Sequence, residues 1–184
     1  MEFEFRTATQ ILFGTEKSSR IPEVWQSLGT KPLFLTGKSA LKNMALKKIV
    51  ADHEQVVVSK EPTTGMVPEI CEQARAAGCD VIVSIGGGSV IDAGKAVTAI
   101  APNTGSLLDY LEVIGKGKTL AIDPLPFIAV PTTAGTGSEV TKNAVIASPE
   151  HNVKVSLRDA RMFPSAAIVD PALTMSAPEH ITIY

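Results

Sequence analysis

Three loops hold the residues best suited to chemistry, and small side chains dominate each of them. Gly86-Gly87-Gly88-Ser89 follows the β-branched run Val81–Ile85 directly and leads into apolar positions at helical spacing, Val90, Ile91, Val97 and Ile100. The order is strand, tight turn, helix. Glycines let a backbone approach a ligand closely, and the free N–H groups at a helix N-terminus favour an anion. The turn therefore suits a phosphate or pyrophosphate. A second reading is that it only closes a βα unit, with Ser89 and Asp92 capping the helix. Three successive glycines are an entropically costly way to do that. The spacing is not G-x-G-x-x-G, whose third glycine would fall on Ile91, and no P-loop glycine stands at Ser89 or Pro32.

The second loop, Gly37-Lys38-Ser39, follows the apolar run Pro32–Thr36. The third, Pro131-Thr-Thr-Ala-Gly-Thr-Gly-Ser-Glu139, follows Pro126–Val130 and has four hydroxyls, on Thr132, Thr133, Thr136 and Ser138. On composition alone it reads equally as an irregular surface loop with Ser/Thr turns.

The elements that must position these loops alternate in type. Residues 1–14 suggest one or two short strands paired outside the main sheet, and Lys17–Leu28 a helix. Strands are predicted at Pro32–Thr36, Gln55–Ser59, Val81–Ile85, Pro126–Val130 and Ala166–Asp170. Helices are predicted after Ser39, from Met66 to Ala77 with Gly78 as its C-terminal cap, after Gly88, and over Ser106–Glu112. Residues 114–123 read as a polar loop. Asn143–Ala147 and Asn152–Leu157 form a hairpin around Pro149-Glu150. A βαβαβ alternation requires parallel strands and right-handed crossovers, so the fold class is α/β with a doubly wound, mostly parallel sheet. Ligands in such folds lie beyond the carboxyl ends of the strands, where Gly37 and Gly86–Gly88 both fall.

Composition narrows the function. The chain has 184 residues, 45% hydrophobic but only 5% aromatic, which suits one domain with a Val/Ile/Ala interior. Seventeen basic and nineteen acidic residues give a formal charge of −2, so nothing draws it to nucleic acid or an anionic membrane. No run approaches the roughly 20 apolar residues of a membrane span, and Met1-Glu-Phe-Glu4 is unlike a signal peptide; the cytoplasm is the expected compartment. Cys71 and Cys79 lack redox or zinc spacing and read as small core residues, and His53, His151 and His180 form no ligand pair.

Gly86-Gly-Gly-Ser-Val-Ile-Asp-Ala-Gly-Lys95, followed by Pro131-Thr-Thr-Ala-Gly-Thr-Gly-Ser-Glu-Val-Thr141, resembles the iron-containing (group III) alcohol dehydrogenase family. The resemblance runs from the N-terminal strand to about Ile183. It implies a Rossmann-like, dehydroquinate-synthase-like N-terminal domain, so that residues 1–184 form one NAD(P)-binding domain. It also implies NAD(P)-dependent, metal-assisted interconversion of alcohols with aldehydes or ketones. By resemblance, Gly86, Gly87, Gly88 and Ser89 hold the cofactor pyrophosphate, while Thr132, Thr133, Thr136 and Ser138 line the adenine and ribose side. Lys154 corresponds to a lysine near the nicotinamide end, and Asp92 to an acidic residue that caps or binds. Family members take Fe²⁺ or Zn²⁺ on an Asp and three His of a second, helical domain, expected just beyond Asp170–Tyr184; His180 matches none of these ligands. The expected function is thus the cofactor half of an alcohol dehydrogenase, without tightly bound metal and with doubtful activity alone. Two alternatives stand beside it: a nucleotide-binding module without chemistry, and a fragment of a glycerol-dehydrogenase-like enzyme.

Two further expectations concern cofactor and assembly. NAD-selective sites place a carboxylate after the second strand, against the ribose 2′-hydroxyl. Here Gly37, Lys38 and Ser39 occupy that turn, which predicts tolerance of, or preference for, NADP(H). Leu173, Met175, Ile181 and Ile183 have few local partners, and Phe3 and Phe5 lie on an unpaired strand, which predicts a homo-oligomer.

Overall fold

The computed structural model describes residues 2–176. Its centre is a parallel six-stranded sheet. The chain enters through strand β1 (Gln10–Phe13), a 3₁₀ turn (Lys17–Arg20) and helix α1 (Ile21–Gln26). Three βα units follow: β2 (Pro32–Thr36) with α2 (Met44–Val50), β3 (Glu54–Val57) with α3 (Met66–Ala77), and β4 (Val81–Gly86) with α4 (Gly88–Ile100). After the short α5 (Leu107–Tyr110) come β5 (Phe127–Pro131), the pair β6 (Asn143–Ser148) and β7 (Val153–Arg158), and finally β8 (Ala166–Val169).

The strand order is β1-β8-β5-β4-β2-β3, every neighbouring pair parallel. Strands β2, β4 and β5 are buried along their whole length, which their Val/Ile/Leu/Phe-rich sequences require, since a sheet covered on both faces has no polar side. Successive residues point to opposite faces. Leu33, Leu35, Ile82, Phe127 and Ala129 join the core beneath α3 and α4, while Phe34, Val83, Ile85, Ile128 and Val130 join the core beneath α1 and α2. The sheet is therefore doubly wound.

From β2 the chain moves outward to β3, then returns across β2 to place β4 on its other side and β5 beyond that. The connections reverse direction between β2 and β4, so the α2 and α4 loops diverge and leave a gap above the carboxyl ends of these strands. The β6–β7 hairpin stands outside the sheet and buries Ala144, Ile146, Val155 and Leu157 against the α3/α4 side.

Three expectations change. Residues 1–14 contribute one strand, and it belongs to the main sheet: β1 pairs in parallel with β8, with Thr9 N–H donating to the Pro164 carbonyl and Gly14 N–H to that of Val169. The helix expected at Lys17–Leu28 is divided into a 3₁₀ turn and α1, with Pro22 in the first α-helical turn, where a missing N–H costs nothing. Leu173 is buried in the α1/α2 core rather than bare, whereas Met175 is exposed; Ile181 and Ile183 lie outside the described residues.

Leu173 is placed by Asp170 at the end of β8. The buried Asp170 carboxylate accepts from the Ser18 hydroxyl at 2.7 Å, the Ser18 N–H at 3.0 Å and the Ala172 N–H at 3.1 Å. Burial opposes its ionisation, but these bonds outweigh that and hold it below the usual carboxylate range. Cys71 is buried and its thiol is pushed up to about 12, chiefly by burial, and half-buried Cys79 is raised for the same reason. Both are inert as nucleophiles near neutral pH. No helix among the described residues is long and apolar enough to cross a membrane.

Candidate functional site

Above the carboxyl ends of β2, β3, β4 and β5 lies a crevice of about 590 Å³. Its floor is the glycine turn between β4 and α4, and the glycines there serve two different ends. A Cβ on Gly86 would stand 2.4 Å from Val90 Cγ2, and one on Gly94 would stand 2.1 Å from Ser84 Oγ and 2.6 Å from Phe127 Cε2. These two glycines let α4 lie close on the sheet, a packing requirement independent of any ligand.

Gly87 and Gly88 differ. A Cβ on Gly87 would meet nothing nearer than Thr133 Oγ1 at 3.4 Å, and one on Gly88 nothing nearer than Thr136 Cγ2 at 3.4 Å. Gly87 has φ −75° and ψ −174°, an ordinary extended conformation open to any residue. Neither crowding nor backbone geometry requires glycine at these positions. What their missing side chains leave open is the space between the turn and the threonine loop.

That space faces the N-terminus of α4, a 13-residue helix whose first turn has no side-chain cap. The Val90 and Ile91 N–H groups bond to the Gly87 carbonyl, so the Gly88 and Ser89 amides stand ahead of the first intrahelical bonds. Ser89 and Asp92 are thus not caps. Asp92 instead accepts from the Val145 N–H at 3.2 Å, tying α4 to β6, and burial raises its pKa. Unpaired amides, the positive end of the dipole and an open floor come together at this turn, a combination that favours an anion.

The walls come from four segments. Ser39 borders the crevice from the loop after β2; Val58, Ser59, Lys60, Glu61 and Pro62 follow β3; Thr132, Thr133, Thr136 and Ser138 follow β5; Val145 and Ala147 come from β6. The hairpin is joined to the β3 loop by Ala147 N–H donating to the Pro62 carbonyl and Thr64 N–H to the Ala147 carbonyl, both within 3.0 Å.

Of the residues expected from sequence, the structure gathers Ser39, Gly87, Gly88, Ser89, Asp92, Thr132, Thr133, Thr136 and Ser138 around one space. Four stand apart from its lining. Gly86 is buried as the last residue of β4. Gly37 donates its N–H to the Ile85 carbonyl and lies behind Val90, and Lys38 is exposed. Lys154 is outside the crevice, its Nζ paired with Glu61 Oε1 at 2.6 Å on the exposed rim. The Val58–Pro62 segment and the β6 residues were not foreseen. The signal for the former was present: Ser59-Lys-Glu-Pro62 follows a parallel strand and so had to lie on the carboxyl edge.

Among the described residues no group of three or more His, Cys, Asp or Glu is placed to hold a metal ion.

Fold and crevice together define a doubly wound, Rossmann-like α/β domain with an open crevice at its switch point. The family model for iron-containing alcohol dehydrogenase matches residues 8–171, and the chain belongs to that family. It is 35% identical to 4-hydroxybutyrate dehydrogenase of Cupriavidus necator over 83% of this chain and 41% of the relative. It is 36% identical to the mitochondrial hydroxyacid-oxoacid transhydrogenase of Caenorhabditis elegans over 99% of this chain and 41% of the relative. Among solved structures, sulfoacetaldehyde reductase from Bifidobacterium kashiwanohense in complex with NAD⁺ superposes with a TM-score of 0.87 at 31% identity, covering 98% of this chain and 49% of that one. A 1,3-propanediol oxidoreductase gives 0.85 at 32% identity, covering 99% and 49%. The chain thus spans less than half the length of these relatives.

Proposed function

We propose that this chain binds a nicotinamide dinucleotide in the crevice and supplies the cofactor side of an NAD(P)-dependent oxidoreductase acting on small alcohols and aldehydes or ketones in the cytoplasm. The observation that carries the proposal is the open floor at Gly87 and Gly88. Both positions would accept a side chain without disturbing the fold, yet both are glycine beneath an uncapped helix N-terminus. The Gly88 and Ser89 amides would hold the pyrophosphate, with the Thr133, Thr136 and Ser138 hydroxyls bordering it. When bound, the nicotinamide supplies the hydride-accepting ring; the chain's residues orient it and exclude water from one face. Kinship with dehydrogenases and a reductase, one of them in complex with NAD⁺, favours this reading over a module without chemistry or a glycerol-dehydrogenase-like one. Calorimetric titration with NADH and NADPH tests it, and absence of heat with both at millimolar concentration would refute it.

The same crevice supports acceptance of NADP(H). At the turn after β2, Gly37 presents no carboxylate, exposed Lys38 follows, and Lys60 borders the crevice from the adjacent loop. A side chain at residue 37 fits, since its Cβ would lie 3.6 Å from Val90 Cγ2, an ordinary contact. Gly37→Asp is therefore expected to fold normally and to weaken NADPH more than NADH by roughly tenfold or more, through repulsion of the 2′-phosphate. Equal losses for both cofactors would place the adenosine ribose elsewhere.

Association with a second copy belongs to the same proposal. Edge strand β1 leaves Ile11 and Phe13 exposed, and Phe3 and Phe5 just before it are 86% and 78% exposed. An unpaired apolar edge favours pairing across a two-fold axis. Light scattering should report a dimer or larger assembly, and a monomer at high micromolar concentration would contradict this.

A further inference from the structure

The helix that begins at the glycine turn carries a charged residue that never reaches the crevice. Lys95 is completely buried. Its Nζ donates to Thr141 Oγ1 at 2.9 Å and to the Asn143 carbonyl at 3.1 Å, and lies 4.0 Å from Asp92 Oδ1. A buried ammonium is an expensive way to fill space, because an apolar side chain of similar length would do so without the desolvation cost. Burial pulls its pKa down to about 8, while the Asp92 and Glu139 carboxylates oppose that shift.

The positions of its acceptors explain its presence. Thr141 closes the threonine loop, and Asn143 opens β6. One turn earlier on α4, Asp92 takes the N–H of Val145. The i, i+3 pair Asp92 and Lys95 therefore holds residues 141, 143 and 145 against the helix whose N-terminus is the floor of the crevice. The threonine wall and the hairpin wall meet at this seam, and the hairpin has no strand in the main sheet to fix it.

We infer that Lys95 is a positioning residue for the dinucleotide site: its buried ammonium clamps the junction of threonine loop and hairpin to α4 and so sets the width of the crevice above Gly87 and Gly88. The inference rests on the proposed function. It differs from a plain structural role in one respect. Losing a clamp that serves binding lowers affinity even where the fold is not weakened, as at high pH, whereas losing a structural pin lowers affinity and stability together.

Lys95→Met tests this by thermal unfolding and by NADH fluorescence titration from pH 7 to 10. At pH 7 the variant leaves the buried Asp92 carboxylate without its counter-ion and should melt below wild type while still folding cooperatively, and it should bind NADH roughly tenfold or more weakly, as a loosened wall misplaces its hydroxyls. The pH response supplies a second readout. Between about 8 and the ordinary lysine value of 10.5 the unfolded chain holds more protons than the folded one, so wild type gains stability relative to Lys95→Met as pH rises. Over the same window its ammonium, and with it the clamp, is lost, so NADH affinity should fall in wild type but stay flat in the variant. Stability and affinity thus move in opposite directions. Thr141→Val removes, at nearly constant shape, the hydroxyl that accepts from Lys95 and donates to the Ser138 carbonyl at 3.3 Å; it should lower affinity several-fold with little change in melting, and it provides the test if Lys95→Met does not fold. Wild-type affinity and a wild-type pH profile in the variant that folds would overturn the inference alone. Failure of wild type itself to bind NADH would overturn the reading of the site, and the inference with it.

Discussion

Gly87→Val should leave the fold standing and remove dinucleotide binding. The native backbone at residue 87 is extended, with φ −75° and ψ −174°, which a β-branched residue adopts without strain. Its Cβ would meet Thr133 at 3.4 Å, a contact that small movements of an exposed loop absorb. Valine is a poorer N-cap than glycine, but it also restricts the unfolded chain. These effects oppose one another, so stability should change by no more than about 1 kcal/mol. Affinity is another matter. The γ-methyls would occupy the volume through which a pyrophosphate must approach the Gly88 and Ser89 amides, and a loss of at least about 100-fold, or about 2.7 kcal/mol, is expected. Thermal unfolding and NADH calorimetry on the same preparation read both quantities. An unchanged affinity in a folded variant would move the site away from this turn.

Gly94→Ala should do the reverse. Two turns along the same helix, its Cβ would fall 2.1 Å from Ser84 Oγ, 2.6 Å from Phe127 Cε2 and 3.1 Å from Phe127 Cζ. All these atoms lie in a fully buried layer between α4 and the sheet. Ser84 cannot simply turn aside, because its hydroxyl donates to the Val90 carbonyl at 3.0 Å. Alanine is the better helix former by about 1 kcal/mol, but overpacking a close helix–sheet contact exceeds that gain. A net loss of about 3 kcal/mol is expected, a large share of the roughly 5–15 kcal/mol that holds an ordinary domain together. For a chain of this size that lowers the melting temperature by roughly 6–12 °C. A variant melting within about 2 °C of wild type would show that α4 can lift off the sheet cheaply.

These two glycines show where reading the sequence reaches its limit. The motif marks the turn, and the β-branched run before it and the helical spacing after it make the strand-turn-helix legible. Yet Gly86, Gly87, Gly88 and Gly94 are one residue type used for two purposes. Only the distances to Val90, Ser84, Phe127, Thr133 and Thr136 separate those demanded by packing from those kept open. Strands β2 and β4 were legible because burial on both faces leaves an unbroken apolar run, and α3 because its periodicity ends in Gly78, left-handed at φ 66°. The partner of β1 was not. Its pairing with β8 spans most of the chain, and an edge strand has no composition that names its neighbour. The contacts of Lys154 and Asp92 were hidden for a related reason. Their partners, Glu61 and the Val145 amide, are 93 and 53 residues away in sequence.

In the proposed complex a dinucleotide lays its pyrophosphate on the glycine turn between β4 and α4. A ¹H–¹⁵N correlation spectrum recorded during titration with NADH tests it most directly, because amide shifts report the groups said to bind. Saturable shifts are expected, largest at Gly87, Gly88 and Ser89, with smaller ones at Thr132, Thr133, Thr136 and Ser138. Shifts centred elsewhere, or none at millimolar NADH, would contradict it.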